Sequence, residues 1–202
     1  MTGSSLRETK RAETARCLAT TAHTLVRQRG FDEVTVDDIV EMAHVSRRTF
    51  SNYYSCKEEA VAAVILLQAA SGLAAWQPSG SPSGLLALVR DLVRHQGASG
   101  TLATLADVVS LTAGHRQLVP FVREAQWRLW SMAEERVLDE LRGPTDADVR
   151  AELNALLGAV FGVVSSRFSS VTGDEGDPLD VPRLLDHVLD RLETGFGPSG
   201  RR

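Results

Sequence analysis

Between Ser46 and Tyr53 the chain places two guanidinium groups, Arg47 and Arg48, ahead of an amide, Asn52, and a phenol, Tyr53, with the hydroxyls of Ser46, Thr49 and Ser51 among them. An arginine fork grips O6 and N7 of guanine or a phosphate. The Asn52 amide can read adenine by the same bidentate logic, and hydroxyls reach bases or phosphates. Each bidentate base pair is worth about 1–3 kcal/mol of discrimination. Tyr53 and the nearby Lys57 suit phosphates. This is the chemistry of reading double-stranded DNA, provided that a rigid element carries it.

The flanking residues supply that element. In Thr35–Lys57, TVDDIVEMAHVSRRTFSNYYSCK, Thr35 is a good N-cap with Asp38 three residues on. Val36, Ile39, Val40 and Ala43 form the apolar face of a short helix. Ser46 caps a second one, and Val45 and Phe50 flank it with the spacing of a hydrophobic staple. Phe50 and Tyr54 then share the inward face, which leaves Arg47, Arg48, Ser51 and Asn52 outward. Ahead of the pair, Ala15, Leu18, Ala19, Ala22, Leu25 and Val26 recur at threes and fours, predicting a helix over 6–29 that Gly30 stops. Thr35 and the helix start behind it are expected to hold a phosphate, as is Lys57 at the start of the fourth helix.

Bulk properties agree with a DNA reader once the chain is divided. The net charge is −4, but residues 1–60 hold 9 Lys/Arg against 9 Asp/Glu, and the remainder 13 against 17. The acidic excess therefore lies outside the reader, and phosphate binding depends on local placement. Apolar residues make up 43% and charged residues 24%, which is ordinary for a globular protein. The most apolar run, 60–75, falls short of the roughly 20 residues a bilayer demands, so no membrane partner is expected. No hydrophobic segment follows the charges of MTGSSLRETKRAE, and there are only two cysteines, so a cytoplasmic location is expected. The five histidines show no metal spacing, and phosphate-loop, dinucleotide and nucleophile-elbow motifs are absent. The expectation is a protein that is not an enzyme and carries no cofactor.

Beyond the reader, periodicity predicts helices over 57–76, 85–96, 102–112, 117–142, 148–171 and 181–196, separated by loops such as QPSGSPSG at 77–84 and GPTD at 143–146. The chain is thus expected to be all-α with about nine helices. A helix-turn-helix DNA-binding domain occupies 1–56, and a helical ligand-binding and dimerisation domain occupies 57–202. A small-molecule pocket is expected within 60–175, with Phe121, Gln126, Trp127 and Trp130 as lining; plain core is the competing reading. In the last two helices, Leu156, Val160 and Val163, beside the small Ala159, face a heptad-like series containing Leu185, Val188 and Leu192. Such a pair suits a four-helix bundle made by two chains, with an intrachain core as the alternative.

The stretch resembles the TetR family of bacterial transcriptional regulators, whose pattern is matched at Thr35, Ile39, Ala43, Val45, Ser46, Thr49, Tyr53, Tyr54, Lys57 and Glu58. Departures are His44 in place of the turn glycine, Val40 for an alanine, Ser51 for a tyrosine that touches DNA, and Cys56 at a cap position. A positive φ at His44 is expected to cost about 1 kcal/mol. Cys56 reads either as a neutral cap substitute or as a thiol activated by the helix terminus and Lys57. The resemblance implies a homodimeric repressor that binds palindromic operator DNA and is released by a small-molecule effector. The alternative is a ligand-independent or activating regulator whose C-terminal domain only dimerises. From another class, a helical interaction or enzymatic module with a vestigial reader stays open.

Overall fold

The structure is a computed structural model, and it describes residues 6–80, 84–141, 146–169 and 181–195. Among these residues the chain forms nine α-helices and no strand: α1 (Leu6–Arg29), α2 (Val36–Met42), α3 (Arg47–Ser51), α4 (Lys57–Ala75), α5 (Leu85–Ala98), α6 (Thr101–Leu111), α7 (Val119–Glu140), α8 (Ala147–Ser169) and α9 (Val181–Thr194). A 3-10 turn, Arg116–Leu118, precedes α7. Pro120 falls in the first turn of α7, where its missing N–H costs nothing. The first five residues, the connection between the last two predicted helices and most of GPTD lie outside the described residues.

The chain divides into two compact units. One combines Met1–Leu67 with Asp107–Gln126; the other combines Gln68–Ala106 with Trp127–Arg202. In the first, Leu18, Ala22 and Leu25 of α1, Phe31 and Val34 of the following turn, Ile39 of α2 and Phe50 of α3 are buried together with Val61 and Ile65 of α4. Val36, Val40 and Ala43, expected on the buried face of α2, are only half-buried. Seven residues make fewer than two turns, so one side chain, Ile39, anchors that helix fully.

The second unit packs α5, α8 and α9 around Trp76, Leu88, Val89, Leu92, Leu153, Leu157 and Leu189. Trp76 is held from three sides. Its indole Nε1 donates to Asp91 at 2.8 Å, Arg136 donates to its carbonyl at 2.8 Å, and the Arg136 guanidinium lies 5.1 Å from its ring centroid. Desolvation pushes the Asp91 carboxyl up, but hydrogen bonds from Trp76 and Ser79 outweigh it and leave the pKa below the ordinary range. On the outer side, Arg90 and Arg94 of α5 pair with Asp186, Asp190 and Glu193 of α9.

Helix α4 corrects one expectation. Its 19 residues, Lys57–Ala75, are long and apolar enough to cross a membrane by length and composition. Ala60, Val61, Ala62, Ile65, Ala69 and Leu73 are all buried, however, so its apolarity is that of a core helix.

Candidate nucleic-acid interface

The site is built from its caps outward. The Thr35 side chain accepts the Asp38 N–H, and the Asp38 carboxylate accepts the Thr35 N–H at 2.8 Å, a complete capping box. Thr35 Oγ1 also donates to Asp38. These Thr35 contacts, first from the hydroxyl and then from the N–H, lower the Asp38 pKa below its ordinary 3.8. The charged cap is therefore present above the ordinary aspartate range, and its contribution fades only as pH falls through the lowered value.

At the other end, α2 closes in a Schellman motif. The N–H of Val45 reaches Val40 O at 3.0 Å and that of His44 reaches Glu41 O at 3.2 Å. His44 sits at φ 52°, the one non-glycine residue with positive φ among the described residues. The expected left-handed turn is present, and histidine occupies it.

Ser46 then caps α3, its hydroxyl accepting the Thr49 N–H at 3.0 Å. Phe50 is 1% exposed, and Tyr54 donates its hydroxyl to Ala15 O of α1 at 2.9 Å. Burial, with the Glu59 charge second, pushes the Tyr54 pKa up to about 12, so it stays a neutral donor. The five-residue helix is thereby locked to α1 and α2 by its apolar side, and Arg47, Arg48, Ser51 and Asn52 are left exposed. Arg47 rests against Asp37 of α2 at 3.2 Å, in the open. Arg48 has no ion-pair partner among the described residues. Ser51 donates back to Arg47 O at 3.1 Å.

Lys57, expected to face a phosphate, donates to Phe31 O at 2.6 Å and Val34 O at 2.7 Å, and lies 4.3 Å from the Phe31 ring centroid. The carbonyls at the end of the α1–α2 turn point at its ammonium, so Lys57 ties that turn to the start of α4 and keeps one N–H in reserve. For Cys56, burial pushes the thiol pKa up, in keeping with a neutral cap substitute. The Glu59 N–H at the helix start and the Ser55 hydroxyl act to lower it, but burial outweighs them and the neighbouring Glu58 carboxylate raises it further.

Residues without a motif of their own complete this unit. His23 Nε2 of α1 lies 2.8 Å from Asp107 of α6, with Arg27 3.4 Å from the same carboxylate oxygen. His115 packs on Phe31 with ring centroids 4.5 Å apart, and its Nδ1 lies 3.4 Å from Asp32. Asp107–His115 is thereby fastened to α1 and to the turn that Lys57 holds. Partners 84 residues apart leave no local signal that could have revealed them in the sequence.

The residues expected to line a pocket are divided. Phe121 and Gln126 belong to the first unit, where Gln126 is buried; Trp127 and Trp130 belong to the second. Trp127 is 64% exposed, so it does not line an enclosed pocket; its ring stacks on Trp130 at 6.2 Å. Trp130 donates to Asn154 at 3.0 Å and meets Phe161 edge-on. Of the expected interface residues, Leu185 is fully buried and Leu156 nearly so, both inside this chain, because α9 packs its leucines onto α5 and α8. Ala159, Val160, Val163 and Leu192 are half-buried, and Val188 is likewise only partly covered.

The described residues thus form a capped, core-locked helix-turn-helix with an exposed cationic face, within a helical chain. Residues 18–64 match the family model of the bacterial regulatory proteins of the tetR family. A crystal structure from Syntrophomonas wolfei str. Goettingen, described as a TetR-family transcriptional regulator, is similar with a TM-score of 0.59. At 15% identity over 92% of this chain and 97% of that one, the likeness speaks for the fold. No curated protein sequence matches the chain. The family match thus covers the helix-turn-helix segment, and the structural likeness extends the shared helical fold to most of the chain.

Proposed function

We propose that the protein is a cytoplasmic repressor that binds palindromic operator DNA as a homodimer and is released by a small-molecule effector. The observation that carries the reading is the exposed face of α3, where Arg47, Arg48 and Ser51 project from a helix fixed at both caps and by Phe50 and Tyr54. Base edges are read by the first turn of such a helix in the major groove, and two readers need a separation of about 34–36 Å or a multiple of it. We keep the division of labour at 56/57, with DNA contacts from Thr35, Ser46, Arg47, Arg48, Thr49, Ser51, Asn52 and Tyr53. The single remaining N–H of Lys57 is free to add a phosphate contact.

Dimerisation is supported by the exposed side of α8, where Ala151, Ala155 and Gly162 are exposed and Gly158 sits beneath Trp130. With Trp127 it forms a small-residue face carrying one large aromatic, the composition of an interface anchor. Effector release is supported by the fastening of Asp107–His115 to α1. An effector that prefers one arrangement of these helices would shift the reader by its differential affinity.

The test is binding of the full chain to duplexes tiled across its own promoter. Arg48→Ala is expected to weaken the preferred duplex by about 1–3 kcal/mol and to flatten the preference at one base position. Unaltered affinity and preference in both Arg47→Ala and Arg48→Ala would refute the reading.

A further inference from the structure

Polar side chains tie α4 to α5 at two levels. Trp76 Nε1 donates to Asp91 at 2.8 Å, and Gln68 Nε2 donates to Ser99 O at 2.6 Å. Between these ties Gln96 lies against Gly72, so close that a Cβ there would stand 2.5 Å from its Oε1. Gln96 is 7% exposed, and its Oε1 accepts from Thr101 Oγ1 at 2.6 Å. Its Nε2 is buried and has no partner among the described residues, and the same holds for Nε2 of the preceding His95. One turn before Gly72 and Gln96 respectively, Ala69 and Leu92 are buried and apolar. An amide donor held in such surroundings gains more from an acceptor than it would in water, because leaving it unanswered carries its full desolvation cost.

Charge selects the kind of acceptor. Arg90 and Arg94 of α5 pair with carboxylates of α9, and Arg136, which donates to the carbonyls of Leu73 and Trp76, pairs with Glu140. Asp91, one turn before His95, already accepts from Trp76 and Ser79. A carboxylate ligand would enter beside the Asp91 charge with each of these guanidiniums already balanced, and an ammonium ligand would find that carboxylate taken. We propose that Gln96 Nε2 is the polar anchor of the effector site, donating to the carbonyl oxygen of an uncharged and otherwise apolar molecule. Aliphatic side chains hold the body of such a ligand while one placed donor fixes its orientation, the division of labour of small-molecule sites. The inference rests on the reading that an effector exists, and adds its chemical class and the residue that recognises it.

The experiment follows the side-chain amide signals of the full chain, labelled with the heavy nitrogen isotope at glutamine. Cyclohexanone, cyclohexanecarboxylate and cyclohexylamine are added in turn; they share a ring and differ in charge. Titration runs to about 20 mM, above the roughly millimolar dissociation constant open to a molecule of this size. The Gln96 signal is identified by its absence in Gln96→Met and, whether or not that variant folds, by its proximity to the Thr101 methyl. Cyclohexanone is expected to move the Gln96 signal to saturation and to raise the unfolding midpoint, and Gln96→Met to bind it about tenfold more weakly. The two charged probes are expected to leave the signal in place. No response to cyclohexanone would overturn the proposal and give the amide to a buried water. A stronger response to the carboxylate or the amine would overturn it too, since the site would then select an ion. Affinity for the promoter duplex, measured in the same titrations, separates this inference from the effector reading. If cyclohexanone saturates Gln96 and duplex affinity is unchanged, the site stands and release by its occupant fails. If duplex affinity falls while the Gln96 signal stays in place, release stands and the anchor is refuted.

Discussion

Lys57 illustrates how far residue type and position carry an argument. A lysine at the start of a helix that follows a reader is a natural phosphate ligand, yet its ammonium is spent on the Phe31 and Val34 carbonyls. Hydrogen bonds from a charged donor contribute about 1.5–3 kcal/mol. Lys57→Ala is therefore expected to destabilise the folded chain by about 2 kcal/mol in urea unfolding, before any DNA is added. Equal unfolding midpoints for the two proteins would return Lys57 to the role of a plain phosphate contact. The type of residue was legible in the sequence, but its partner was not, because backbone carbonyls carry no signature in side-chain spacing. His44 went the other way. Its φ of 52° follows from a turn that must reverse between two helices, which local chemistry dictates.

At the scale of elements, the bounds of α1, α4 and α8 follow apolar periodicity and punctuation closely, since Gly30, the 77–84 loop and GPTD interrupt any helix. Periodicity did not disclose how closely helices approach. Gly72 of α4 lies against the Gln96 amide of α5: an added Cβ would stand 2.5 Å from Gln96 Oε1 and 2.9 Å from Ser99 Oγ. Gln96 is 7% exposed, and its Oε1 accepts from Thr101 Oγ1 at 2.6 Å, so it cannot swing away without breaking a buried bond. Gly72→Ala is expected to cost about 1–3 kcal/mol, read as a lower midpoint in thermal or urea unfolding. A gain in stability, as expected for a glycine replaced in an unconstrained helix, would show that the neighbouring side chains yield freely.

For the whole molecule, the question is what α8 and Trp127 face. Leu156 and Leu185 are taken by the chain's own core, so a second copy would meet the small-residue side of α8 and the exposed indole. Trp127→Asp is expected to shift the sedimentation of the full chain from dimer to monomer with little change in its helical signal, because the residue is 64% exposed. A dimer of undiminished affinity would place the interface elsewhere. The same variant is expected to bind a half-site duplex like wild type and to lose the palindrome's advantage.

The sequence alone determined the helices, the caps at Thr35 and Ser46, the inward Phe50 and Tyr54, and hence the exposure of Arg47 and Arg48. All of these arise from interactions within a few residues, which spacing records. Only the tertiary structure decided that Lys57 ties the α1–α2 turn to α4, that Asp107 and His115 fasten to the first helix and its turn, and that Leu185 is core. Those outcomes depend on which distant surfaces meet, and apolar periodicity marks a face for burial without naming its partner.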